Sequence, residues 1–101
     1  MSDIDLCFMP ATDLAAAIRT KQVSPVEVVN AVLARIEQLN PRLNAFCLVT
    51  AEAARQAAQA AEQAVMRGEP LGPLHGVPVS IKDLVITKGM RTMRGSKLYE
   101  H

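Results

Sequence analysis

Between residues 70 and 78 the chain carries Pro70, Gly72, Pro73, Gly76 and Pro78. Proline lacks an amide proton and glycine relaxes the backbone, so no helix crosses this stretch and the chain divides there. Leu71, Leu74 and Val77 interrupt the run, which makes it a turn-dense loop and not a low-complexity linker. Beyond it, residues 77–84 alternate: Val77, Val79 and Ile81 fall on one side, Pro78, Ser80 and Lys82 on the other. That period is a strand's, with Pro78 confined to its start or to a sheet edge for want of a donor.

Upstream, the spacing predicts three helices. Thr12 or Asp13 caps the first, residues 13–20, with Leu14, Ala17 and Ile18 on one face. The residues before Thr12 read as an irregular arm. The second helix, 25–39, has the clearest start: Ser24 and Glu27 form a Ser-x-x-Glu capping box around Pro25 at the first helical position. Its stripe is Val29, Val32, Leu33 and Ile36, and Pro41 ends it, because the residue before a proline is biased out of helical geometry. The third, 51–67, is alanine-rich, with a small-residue face of Ala53, Ala57, Ala61 and Ala64 and a left-handed stop at Gly68. Between the second and third, Phe46 to Val49 is a short apolar run, read as a buried strand over 45–50. Strand, helix and strand together predict an α/β fold with a right-handed parallel crossover.

The chain's 101 residues allow one domain at most. Phe8, Phe46 and Tyr99 are the aromatic residues, so the core is built from Ala, Val, Leu, Ile and Met. A net charge of +1 with intermixed signs gives no argument for a nucleic-acid partner, a membrane surface or a strongly charged substrate. The acidic opening with Asp3 and Asp5 lacks the basic start and apolar run of a signal peptide, and a cytoplasmic location follows as the default. Cys7 and Cys47 read as free thiols in a reducing compartment, a disulfide between them being the alternative; neither combines with His75 or His101 at zinc-like spacing. No metal and no cofactor is expected, and the glycines match no phosphate-binding loop.

Lys82 is the residue on which chemistry turns. By spacing alone it is a strand lysine that reaches solvent along its stem or pairs with Asp83. Buried, it would shift toward the neutral amine that can accept a proton. The run Gly72-Pro73-Leu74-His75-Gly76-Val77-Pro78-Val79-Ser80-Ile81-Lys82-Asp83, followed by Gly89, Thr92, Gly95 and Ser96, resembles the amidase signature family of amide hydrolases. Weaker echoes are Ser24 to Val29 and Leu39 to Phe46, so the likeness extends from about Thr12 to Tyr99. Met93 departs from it, standing where the family more often has a small hydroxyl residue.

The resemblance implies a triad of a nucleophilic serine, a bridging serine with a cis peptide bond, and a lysine, the last mapping onto Lys82. Ser2, Ser24, Ser80 and Ser96 supply no Gly-Ser-Ser cluster for the other two. The expectation is therefore an N-terminal piece of a longer amidase, inactive alone, whose parent hydrolyses the carbon–nitrogen bond of a small amide. His75 shapes the Gly-Pro loop and Asp83 is structural in this reading. Two alternatives stand beside it: the amidase subunit of a tRNA-dependent amidotransferase, and a non-catalytic helical module that self-associates. Either way the piece is expected to form homo-oligomers through uncovered apolar faces.

Overall fold

The structure, a computed structural model, describes residues 2–83 and 85–92. Among the described residues there are four helices: α1 (Asp3–Phe8), α2 (Ala11–Arg19), α3 (Pro25–Leu43) and α4 (Ala51–Met66). α3 is the central one, with α1 and α4 both packed against it. The core joins Leu6 of α1, Leu14, Ala17 and Ile18 of α2, Val28 and Ala31 of α3, Val65 of α4 and Val23 between helices, with Leu71 and Val77 of the following loop against it. Its composition is the aliphatic one expected, and Phe8 lies largely outside it, 74% exposed.

The α/β expectation is overturned: among the described residues there is no strand, and with the two strands the parallel crossover goes too. The period of residues 45–50 and 77–83 is real, but a strand is a relation between two segments, and each of these finds its bonds elsewhere. The Phe46 N–H donates to Asn40 Oδ1 at 2.9 Å, and the Phe46 carbonyl accepts from Asn40 Nδ2 at 3.1 Å. A side chain one helical turn from the end of α3 thus stands in for a neighbouring strand. In the second segment, Val77 N–H closes a turn onto the Leu74 carbonyl. Leu84, the predicted last strand residue, lies outside the described residues, as does the short turn considered for 96–100.

Helix α1 replaces the predicted irregular arm. Ser2 caps it with a reciprocal box: Asp5 N–H donates to Ser2 Oγ, and Ser2 N–H to the Asp5 carboxylate, each at 3.2 Å. Hydrogen bonding to Ser2, first through its side chain and then its backbone, holds the Asp5 carboxyl below the usual carboxylate range. A group with a folded value below its unfolded one adds stability that is present above the unfolded value and lost as pH falls through the folded one. Acid below about pH 4 should therefore loosen α1 before the rest of the chain. Backbone chemical shifts of Leu6 and Cys7 would report it, and Asp5→Asn should remove the pH dependence.

The other helix ends differ in detail. α2 starts from Pro10 with no side-chain cap, so neither Thr12 nor Asp13 serves. At α3, Ser24 Oγ accepts from Val26 N–H at 3.0 Å, while its own proton goes to the Glu62 carboxylate on α4 in place of any exchange with Glu27. α3 runs through Pro41 to Leu43 and stops at Asn44, whose φ of 51° is left-handed. A proline one turn from a helix end removes one backbone bond in a place where fraying has already weakened it, so it does not force a stop. α4 ends as predicted: Gly68 at φ 71° donates to the Val65 carbonyl, and Glu69 to that of Ala64, a Schellman pair. Its buried face is Ala58 and Val65 with Ala54, Ala61 and Ala64 half-buried; of the predicted stripe Ala61 and Ala64 lie on it, whereas Ala53 and Ala57 face solvent and their neighbours Ala54 and Ala58 take their place.

Candidate active site

The Gly-Pro loop is fastened to the helices by complementary means. Arg19 Nη1 donates to the Pro73 carbonyl at 3.5 Å. His75 Nε2 lies 2.9 Å from the Ala61 carbonyl of α4, and since a carbonyl only accepts, Nε2 carries the proton. Gly76, at φ 82°, lies flat against α2 and the start of α3: a Cβ there would sit 2.9 Å from Pro25 Cγ and 3.1 Å from Ile18 Cδ1. The loop-shaping role read for His75 thus has a definite partner, one that no sequence signal could have named.

From Val77, packed on the core, the chain runs out over the surface toward Lys82. Val79 is 84% exposed and Lys82 is exposed. The Lys82 carbonyl accepts from Val85 N–H at 3.0 Å, closing a turn directly after the lysine, and Asp83 is half-buried. The apolar enclosure expected around Lys82 is therefore not supplied by the described residues. What they supply is one side of it: a groove of about 850 Å³ with Val32, Leu33 and Ile36 of α3 on one wall, residues 45–50 on another, and residues 78–83 with Lys82 on the third. Ser80 also borders this groove, whereas Ser2 and Ser24 are committed to helix caps and Ser96 lies outside the described residues. Cys47 lines the groove as a free, exposed thiol, and Cys7 is free and half-buried against the Ala31 carbonyl. No helix among the described residues is long and apolar enough to cross a membrane.

A sequence profile described as Amidase matches residues 27–101. The chain belongs to the amidase family. This amidase-family chain is also similar along nearly its whole length to curated proteins that are subunits of a glutamyl-tRNA(Gln) amidotransferase. It is 43% identical over 96 residues to the one from Anaeromyxobacter dehalogenans, covering 95% of the chain and 20% of that protein. It is 45% identical to the protein of the same name from Acidothermus cellulolyticus, covering 95% and 19%, and 39% identical to that of Carboxydothermus hydrogenoformans, covering 97% and 20%. The chain thus spans about a fifth of the length of the curated relatives it matches. No solved structure matches it. The run that carries Lys82 and nearly all of the α3–α4 platform beneath it lie within the family match, while α1 and α2 precede it.

Groove-lining Phe46, Leu48, Val49, Ile81 and Val85 are between 37% and 54% exposed. Together with Val79 they gather apolar exposure along one groove, the kind of surface on which association begins. The chain alone is expected to self-associate across it, visible as a concentration-dependent mass in light scattering over a dilution series. A monomer with one cooperative thermal transition at every concentration would contradict this.

Proposed function

We propose that this chain is the N-terminal part of an amide hydrolase in which Lys82 is the base of a Ser-cisSer-Lys triad. The observation that carries the reading is the position of Lys82. It stands next to last in the Gly72–Asp83 run inside the family match and borders the apolar groove. A neutral Lys82 amine takes the proton that the bridging serine relays from the nucleophile. The nucleophile attacks the amide carbonyl, the amine or ammonia leaves, and water releases the acid from the acyl-enzyme. Both serines, and the donors that stabilise the oxyanion, come from outside these residues, as does the wall that closes the groove over Lys82. The substrate is a small amide, with no metal or organic cofactor in the reaction.

One observation favours a more particular reading. The relatives named above are subunits of a glutamyl-tRNA(Gln) amidotransferase. On that reading the amide is glutamine, the product ammonia passes to a partner protein, and a charged tRNA joins the assembly. Nucleic acid then enters through the partners, which is why the chain's near-neutral charge gives no sign of it.

The test has two arms. The isolated chain should release no ammonia or amine from glutamine or from simple amides above a Lys82→Ala control. The full-length polypeptide should do so, with glutamine preferred on the amidotransferase reading and simple amides preferred on the general one. Turnover by the isolated chain would remove the triad reading, and an inactive full-length protein assayed with its partner subunits would remove amide hydrolysis.

A further inference from the structure

We infer that Asn40 is a positioning residue for Phe46, setting its ring in the groove by holding both polar groups of the Phe46 backbone. The placement stands on its own; that it matters for hydrolysis rests on the reading of Lys82 as the base of a site in this groove. Val29, Val32, Leu33 and Ile36 of α3 line the groove. Residues three and four apart share a helix face, and the next position on that face is Asn40, four beyond Ile36. The apolar stripe thus ends in a half-buried amide, a group with a donor and an acceptor side by side. Its Oδ1 accepts from the Phe46 N–H at 2.9 Å and its Nδ2 donates to the Phe46 carbonyl at 3.1 Å. A peptide can swing about a single hydrogen bond. Two bonds, one on each side of the same Cα, fix both peptide planes and with them the direction of the Phe46 Cα–Cβ bond.

There is little slack between the anchor and what it anchors. The Asn40 carbonyl also accepts from the Asn44 N–H at 2.7 Å, which closes α3 at its left-handed stop. Phe46 follows two residues later and itself lines the groove, so the residue held is the residue placed. The far end of this wall has a tie of its own: the Thr50 carbonyl accepts from the Ala54 N–H at 2.9 Å, in the first turn of α4, which packs on α3. Loss of the Asn40 amide should therefore be felt most at Phe46 and least at Thr50. Among the described residues Phe46 is the one aromatic side chain on the groove, so its ring is the bulk whose position is decided.

NMR of the dilute chain tests this without requiring activity. Exchange of the Phe46 amide should quicken by about fivefold in Asn40→Leu, the effect of one lost hydrogen bond on a two-state opening. It should stay slow in Asn40→Asp, which keeps an oxygen acceptor for that N–H. The methyl shifts of Leu33 and Ile36 report the ring, through the part that Phe46→Leu removes. That part should fall to about half or less when Asn40→Leu is added, and to an intermediate value with Asn40→Asp. Shifts at Thr50 and Val65 should hold, which a general loosening would not allow. A ring contribution unchanged by Asn40→Leu in a folded chain overturns the inference, as does one absent from the unsubstituted chain. Should Asn40→Leu fail to fold, the unsubstituted side chain decides: its Nδ2 protons and the Phe46 amide must both exchange slowly, and free exchange of either overturns it. Because these readouts report placement and the arginine substitution of Lys82 reports proton transfer, the two ideas can fail separately.

Discussion

Lys82→Arg in the full-length polypeptide is expected to reduce turnover by about 10²–10⁴-fold, the range a positioned general base contributes. Arginine keeps the charge, most of the length and the aliphatic stem, so a lysine that merely paired with an anion or covered apolar surface would be replaced with modest loss. A guanidinium, however, holds its proton at any working pH and cannot take one from a serine. Lys82→Ala should be about as damaging for the same reason, and the two together separate proton transfer from charge. The side chain is exposed among the described residues, so neither substitution should change the unfolding midpoint of the isolated chain. The rate of the full-length variant is to be read beside its own unfolding curve. A folded Lys82→Arg enzyme at near-normal rate would leave Lys82 as a structural cation.

Gly76→Ala should cost the chain about 2–4 kcal/mol, from a left-handed backbone that an L side chain resists and from overpacking against neighbours that cannot give way. The nearest of these, 2.9 Å from the added carbon, is a ring atom of Pro25, itself fully buried. Two further glycines divide the effect. Gly89 has φ 80° with nothing within 4 Å, so Gly89→Ala isolates the backbone part, about 1–2 kcal/mol. Gly72 has open space and no positive φ, so Gly72→Ala should be close to neutral. Urea unfolding of the three variants gives the order Gly76, Gly89, Gly72. Equal midpoints for Gly76→Ala and Gly72→Ala would mean the loop does not dock as described.

What can be read in the sequence follows from how local each signal is. Ser24 and Pro25 mark the start of α3 because a cap and a fixed φ act within one turn. Gly68 marks the end of α4 for the same reason. The motif around Lys82 is legible as an ordered string. The strands are not, because alternation reports which faces differ and says nothing of whether a partner is present; for Phe46 that partner is the Asn40 amide. The box at α1 escapes a pattern search because Asp5 stands where Glu or Gln is more usual. Glu62, 38 residues from Ser24, and Ala61, 14 residues from His75, become partners only through helix packing. The groove beside Lys82 likewise exists only once α3 and the two extended segments are brought together.

The link between Ser24 and Glu62 ties the cap of one helix to the face of another. Separating α4 from α3 would strip the Ser24 hydroxyl of its acceptor at the same moment that Val65 and Ala58 lose their cover. Helix initiation and helix docking are therefore one event, and α3 and α4 should open together as a single foldon. α1 is fastened to the core by Leu6 and Cys7, the latter through its thiol to the Ala31 carbonyl of α3, but its cap is closed by its own local box and depends on no other helix. Its amides should exchange with solvent through openings that leave the α3–α4 pair, and the placement of everything fastened to it, undisturbed.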